Sequence, residues 1–223
     1  MSYSNEGYAL LSSVIDEAAG EPLETYAERR IFQPLGMERT GFDLDVLASK
    51  GDITSLFVKD KDGLVHCTDN WDKAPPYRGC GWIKSTVTDM NKYYMALSCR
   101  GIYAGKRVFP ESCVERLVGR GFAETRKGIY CYGLYKRLFE DVAICEHSGG
   151  LSGVSANGGF IKDGAFAVAV LTNLSGIDCS PMTNAAFNMR LGLPLQESHM
   201  WAQEVWGGKL EDPSVYTGIY RSQ

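Results

Sequence analysis

Apolar residues near the start of the chain recur at helical spacing. Ala9, Leu10, Leu11, Val14, Ile15 and Ala18 fall on one side of a helix with a period of about 3.6 residues. Asn5 just before it is a candidate cap, and Gly20 stands where a helix-ending residue belongs. Pro22 suits the first turn of a second helix, which turns Leu23, Tyr26, Ala27 and Ile31 inward and stops at Pro34-Leu35-Gly36. Periodicity then lapses. Residues 41–80 carry many Asp, Lys and Gly and read as a long excursion of short strands or turns, one side of a cleft. Order returns at Thr86-Val87-Thr88-Asp89, a capping box. The helix it opens extends to about Cys99, with Val87, Met90, Tyr94 and Leu97 inward and Gly101 as its stop. Pro110 opens a short helix to about Val118.

From Gly128 the texture changes to strand. Gly128 to Glu146 is rich in Tyr, Val, Ile and Cys and reads as a hairpin broken at Glu140-Asp141. Ser155–Lys162 and Ala165–Thr172 are two more strands joined by Asp163-Gly164, a strong hairpin signal. Pro181 to Leu191 closes the pattern as an amphipathic helix. Helices, then an antiparallel sheet, then a helix make the chain α+β, without the βαβ alternation of a parallel sheet.

Composition narrows the function classes. A chain of 223 residues buries roughly 70–75% of the surface its unfolded form exposes, so its stability requires neither disulfides nor a metal. The net charge of −4, with 23 basic and 27 acidic residues and no basic block, argues against an electrostatic nucleic-acid binder. No apolar run approaches the length of a membrane span, and the opening residues do not form a signal peptide. Seven cysteines, an odd number with no C-x-x-C, make a poor disulfide framework or zinc site. Most of them read as small buried hydrophobes, which fits a reducing compartment. No cofactor is expected.

Common catalytic signatures fail. Gly79-Cys80-Gly81 does not extend to a dinucleotide fingerprint. Ser152 and Ser155 have Gly two before them but Val154 and Asn157 two after, so neither sits in a nucleophile elbow. Two small motifs remain: Tyr3-Ser4-Asn5 before the first helix and His147-Ser148-Gly149-Gly150 at a strand end. Each alone has an ordinary structural reading, as a helix start or a strand-end polar residue. Tyr130 and Tyr132 beside Gly133 belong either to the cleft rim or, more in keeping with their strand setting, to sheet packing. His66 and His199 read as surface residues.

The succession of motifs says more. Tyr3-Ser4-Asn5 is followed by Ile31-Phe32-Gln33-Pro34-Leu35-Gly36-Met37, then Gly81-Trp82-Ile83-Lys84-Ser85-Thr86 with Asp89. His147-Ser148-Gly149-Gly150 and Val168-Ala169-Val170-Leu171-Thr172-Asn173 come next. This order strongly resembles the serine β-lactamase and penicillin-binding-protein superfamily, in its class C and esterase-like branch, from Tyr3 to about Leu193. The resemblance implies three motifs meeting in one cleft: Ser-x-x-Lys, whose Ser is acylated; Tyr-x-Asn, matched by Tyr3 and Asn5; and Lys- or His-[Ser/Thr]-Gly, matched by His147, Ser148 and Gly149. A hydroxyl nucleophile needs a neighbouring base. A Tyr phenol with a reference pKa near 10 serves as one only when positive charge favours the phenolate, and His147 supplies such charge at lower pH. By the same resemblance Asn5 donates to a substrate amide carbonyl, Ser148 to a substrate carboxylate, and the Gly150 N–H to an oxyanion.

One motif is missing. No Lys in the chain has Ser or Thr three positions before it. The resemblance therefore implies a partial domain over residues 1–200 that lacks the nucleophile helix and the N-terminal strands of its sheet. Residues 201–223, with Trp201, Trp206 and Tyr216 to Tyr220, would begin a β-rich C-terminal extension. The implied parent activity is hydrolysis of a small-molecule amide or ester through an acyl-enzyme, with this chain inactive by itself. The alternative is a non-catalytic binding or assembly module, a homodimer or a partner of another chain through the exposed sheet edge.

Overall fold

The computed structural model describes residues 2–71, 75–124, 128–139 and 141–196; His199 and the segment 201–223 lie outside them. Helix α1 runs Asn5–Ala19 and ends on Gly20 at φ 66°. Its cap is Ser4 rather than Asn5: the Ser4 Oγ accepts the Gly7 N–H at 3.0 Å. The orientation of α1 also departs from the apolar pattern. Leu10, Leu11 and Val14 are 70%, 48% and 60% exposed. Backbone approach and polar anchors select the opposite side as the inner one. A Cβ on Gly79 would lie 2.4 Å from the Tyr8 carbonyl oxygen and 3.0 Å from the Ser12 Cβ. Asp16 accepts the Leu23 N–H at 2.7 Å and pairs with Arg78.

Helix α2 (Leu23–Ala27), a π turn (Glu28–Phe32) and α3 (Gln33–Leu35) form one helical run ended by Gly36 at φ 64°. Ala27, Phe32, Leu35 and Met37 pack with Ala96 in one cluster. The excursion holds α4 (Leu44–Ser49), capped by Asp43, and the antiparallel pair β1 (Leu56–Lys59) and β2 (Val65–Thr68). Helix α5 (Val87–Ser98) starts at Thr86, whose Oγ1 accepts the Asp89 N–H at 3.2 Å. Met90, Tyr94 and Leu97 face cores as expected, but Val87 is 44% exposed and Asp89 is buried. The Asp89 carboxylate accepts the Arg39 N–H, the Thr40 hydroxyl and the Lys92 ammonium at 2.8–3.0 Å, which makes its burial tolerable. A two-stranded turn, β3 (Ile102–Tyr103) with β4 (Lys106–Arg107), leads to α6 (Glu111–Gly119).

Six antiparallel strands follow: β5 (Phe122–Glu124), β6 (Gly128–Tyr130), β7 (Tyr135–Phe139), β8 (Val142–Leu151), β9 (Val154–Ile161) and β10 (Phe166–Thr172), paired in chain order. The turn at Asp163-Gly164 is wider than a two-residue hairpin. Pairing stops at Ile161↔Phe166, leaving residues 162–165 as the loop. Arg100 holds the Asp163 carboxylate through two contacts at 2.8 and 3.3 Å, and Asp163 and Ala165 take φ 61° and 47°. Alternation divides the sheet's faces. Cys145 and Phe160 pack with Tyr94, Leu97, Val114 and Val118 of α5 and α6. Ile144 and Ile161 pack with Phe187 of α7 (Ser180–Leu191) on the other side. Helix α7 is less amphipathic than its pattern reads: its outward Met182 and Met189 are 46% and 70% exposed. The helices-then-antiparallel-sheet order is the α+β architecture anticipated. Of the cysteines, only Cys131, Cys145 and Cys179 are buried, while Cys67 and Cys113 are exposed.

Candidate active site

Strand β8 creates the open edge on which the site is built. Its pairing with β7 ends at Tyr135↔Glu146, while its pairing with β9 continues to Leu151↔Val154. From His147 onward β8 therefore has one strand neighbour, and backbone groups on its other side face solvent. Gly149 and Gly150 lie on this stretch with extended backbone, and the nearest atoms to an added Cβ would be 3.8 and 3.9 Å away. Packing does not demand glycine there, and the missing side chains leave the backbone accessible.

His147 is held at the start of this edge. Its Nδ1 lies 2.6 Å from the Ser148 carbonyl oxygen, an acceptor only, so Nδ1 carries the proton. Its Nε2 lies 3.5 Å from the Tyr130 hydroxyl. Tyr135 stacks on the imidazole at 5.6 Å between ring centres. Tyr3, immediately before α1, stands 6.1 Å from the His147 ring and 5.9 Å edge-on to Tyr130. The fold thus brings Tyr3 and His147 together from positions 144 residues apart in the sequence. Asn5 is exposed on the first turn of α1, and Ser148, Gly149 and Gly150 are exposed along the β8 edge.

A groove of about 710 Å³ opens beside this edge. His147, Ser148 and Gly149 stand at its wall, while Leu56, Met90, Tyr94 and Ala169 give it an apolar floor. Tyr3 and Asn5 are not among its lining residues. The excursion does form one side of it, through Ile53, Thr54, Leu56 and Trp71. A second cavity of about 570 Å³ lies between α2 and α4 and shares Leu47, Trp82 and Lys84 with the groove.

The electrostatics leave Tyr3 a neutral phenol near pH 7. Burial raises its pKa above the ordinary 10, and Cys80 and Tyr8 raise it further. Burial raises Tyr130 strongly in the same direction, with a hydrogen bond to Tyr8 adding to it. Phenolate character at Tyr3 therefore depends on a positive charge brought close to it.

Tyr8, Tyr130 and Tyr135 are site residues whose role the sequence left open or passed over. Tyr130 is buried and turns its hydroxyl to His147, whereas Tyr132 is 67% exposed. The available signal was a Tyr at each end of the Cys131–Leu134 turn, since Tyr130 and Tyr135 are register partners. His66 sits exposed on the β1–β2 hairpin, 2.7 Å from the Asp60 carboxylate. Among the described residues no cluster of three or more metal-ligating side chains occurs, and no helix is long and apolar enough to cross a membrane.

On the opposite face of the sheet, Glu146 is anchored beside His147. The Arg137 guanidinium contacts the Glu146 carboxylate at 2.7 Å and donates to the Asn184 Oδ1 at 2.9 Å. Asn157 donates to Glu146 at 3.4 Å and to the Thr183 hydroxyl at 2.8 Å. This network fixes β8 to α7 at the residue before the histidine.

Comparison with known proteins identifies the fold and the family. The chain is 24% identical over 233 aligned positions to an unguisins hydrolase of Aspergillus violaceofuscus, covering 91% of this chain and 40% of that protein. It thus spans well under half the length of that relative. Among solved structures it is similar to the octameric penicillin-binding protein homologue of Pyrococcus abyssi, with 26% identity and a TM-score of 0.75. That match covers 87% of this chain and 43% of the other. It also shares a fold with the D-amino acid amidase of Ochrobactrum anthropi, at 21% identity and a TM-score of 0.61 over 80% of this chain and 52% of that one. The beta-lactamase family profile matches residues 1–186. With its open-edged β8, its Tyr3–His147 juxtaposition and a family match over most of its length, the chain belongs to the beta-lactamase family.

Proposed function

We propose that these residues form the acid–base and substrate-binding half of a serine hydrolase site that cleaves amides or esters through an acyl-enzyme. The observation that carries this reading is the meeting of Tyr3 and His147 at the open edge of β8. An extended substrate pairs with that edge, Asn5 and Ser148 hold its polar groups, and the Gly150 N–H faces the developing oxyanion. Tyr3 relays the nucleophile's proton, assisted by His147. The nucleophile itself, with the Lys that activates it, comes from a Ser-x-x-Lys segment that this sequence does not contain. In a longer form that carries such a segment upstream, Tyr3→Phe lowers kcat/KM for an activated ester by about 10²–10⁴-fold. An unchanged kcat/KM removes Tyr3 from the reaction.

A second reading, a non-catalytic assembly module, is favoured by β10. This end strand, Phe166–Thr172, has no charge and no Pro, the usual guards of a free edge. At the other end of the sheet β5 is only three residues long and is followed in sequence by Arg126 and Lys127. On α7, Met182 and Met189 are exposed apolar side chains as well. The Pyrococcus abyssi homologue is itself described as octameric. On this reading the chain dimerises with rising concentration in light scattering, and Leu171→Lys returns it to monomer. A monomer at every concentration overturns it.

A further inference from the structure

Three features of Trp82 are unfavourable for folding taken alone. Its backbone lies in the left-handed region, at φ 65°, where a bulky residue is strained. Its indole N–H is buried and has no hydrogen-bond partner among the described residues. The large ring also joins none of the three core clusters of the described residues; it stacks on Tyr77, at 5.6 Å between centres. The strain persists because the chain is clamped on both sides of it. Upstream, Gly79 approaches α1 so closely that the Tyr8 carbonyl leaves no room for a Cβ. Downstream, Lys84 and Gly41 exchange backbone hydrogen bonds at 2.8 and 3.0 Å, and the Lys84 ammonium donates to the Trp82 and Phe42 carbonyls at 3.0 Å each. Trp82 so held lines the groove of about 710 Å³ together with His147, Ser148 and Gly149, and it lines the cavity of about 570 Å³ as well. Of the three residues common to both spaces, Leu47, Trp82 and Lys84, it has the largest side chain.

We propose that Trp82 is a specificity-determining residue: its indole closes the groove against the second cavity and so limits the size of the apolar group a substrate can place there. The inference deepens the hydrolase reading, because it rests on the β8 edge as the seat of the scissile amide or ester. The substrate class it names is an amide or ester with an apolar substituent next to the reacting carbonyl. Such a molecule keeps its polar groups at Ser148 and Gly149 and lays its substituent on the floor of Leu56, Met90, Tyr94 and Ala169. Beyond the indole, Phe32, Phe42 and Leu44 offer further apolar surface that the closed wall withholds. Backbone strain and an unpaired buried N–H, concentrated at one wall of a ligand-sized groove, mark a residue retained for what it meets in the groove rather than for folding.

Trp82→Gly removes the ring and suits a φ of 65°, so it opens the groove into the cavity without adding strain. Titrations of the 223-residue chain followed by ¹H–¹⁵N shifts, with racemic N-acetyl amides of alanine, phenylalanine and 2-naphthylalanine, read the size limit. In the wild type the naphthyl amide should bind no better than the phenyl amide. In Trp82→Gly it should bind about tenfold tighter than in the wild type, the worth of a few more buried carbons, while the alanine amide keeps its affinity. Adding Leu44→Trp, which fills the second cavity from a wall the groove does not share, should restore the wild-type order. If Trp82→Gly loses the dispersed amide spectrum of the folded protein, Trp82→Phe carries the test, with a smaller gain in the same direction. An unmoved size preference in a folded variant overturns the proposal. So does an equal gain for all three amides, a gain that survives Leu44→Trp, or an absence of binding in wild type and variant alike. The titration needs no turnover. A size limit that moves, in a protein whose longer Ser-x-x-Lys form hydrolyses neither amide nor ester, retains Trp82 as the wall of the groove and removes the hydrolase reading. Hydrolysis by that form with an unmoved limit does the reverse.

Discussion

Incubated with a chromogenic β-lactam or an activated phenyl ester, the 223-residue chain is expected to turn over neither and to gain no acyl mass. Acylation needs a hydroxyl whose proton leaves as the bond forms, and no Ser or Thr here precedes a Lys at the required spacing. The serines that line the groove do not replace it. Ser155 donates to the Leu174 carbonyl at 2.9 Å and is buried. Ser85 shares a hydrogen bond with Thr40 at 2.7 Å. Ser148 and Ser152 are exposed on and just past the β8 edge, where the Tyr3 phenol is neutral and the His147 imidazole is bonded to Ser148's own carbonyl. Loss of a nucleophile costs on the order of a million-fold in kcat, leaving the smaller effects of binding and oxyanion contacts. Intact mass spectrometry after incubation checks this, with a beta-lactamase family enzyme that carries Ser-x-x-Lys as the positive control. A stoichiometric acyl adduct on the 223-residue chain, abolished by one Ser substitution, overturns the premise that the nucleophile lies elsewhere.

How much of this was legible depends on which physical signal each element carries. Helices α1, α5 and α6 were readable because start and stop signals are local: Gly20, Thr86 and Pro110 act within one turn, although the cap of α1 is Ser4 and not the expected Asn5. The orientation of α1 was not, since it is set by the close approach of Gly79 and the pairing of Asp16 with Arg78, contacts made across more than 60 residues. The apolar stripe of Leu10, Leu11 and Val14 gave the right period and the wrong inward face. Val87 failed for a related reason: the inward position on that turn went to Asp89, a carboxylate tolerable inside only because Arg39, Thr40 and Lys92 converge on it. The antiparallel strands β7 to β10 were legible through alternation and turns, whereas β5 and the division of the stretch from Gly128 to Phe139 into β6 and β7 were not. The open edge at His147 was not, because it depends on where β7 starts relative to β8. Tyr3 and His147 were found through the order of motifs along the chain. Tyr130 was left between cleft rim and sheet packing because a tyrosine in a strand packs far more often than it directs a neighbour.

The largest stability effect is expected at Glu146, one residue before His147 and on the other face of the sheet. Glu146→Ala removes the partner of an Arg137 side chain that is only 11% exposed, while leaving its charge in place. It also strips Asn157 of one acceptor in a pocket where the Asn157 Oδ1 and the Arg137 Nε already lack partners. Breaking a buried pair from one side costs about 3 kcal/mol or more, chiefly the penalty of a desolvated, uncompensated charge. The double replacement Arg137→Met with Glu146→Leu removes both charges and restores apolar volume, so it should cost markedly less than the single change. Urea melts of the three proteins give the comparison. Equal loss in single and double variants would show that the network's contribution is shape rather than charge. The site gives an independent reading of the same event: Glu146 and His147 are adjacent on β8, and Glu146 is tied to α7 only through Arg137, Asn157 and their partners Asn184 and Thr183. Freeing that residue should loosen the strand where its pairing with β7 ends, in the single and the double variant alike.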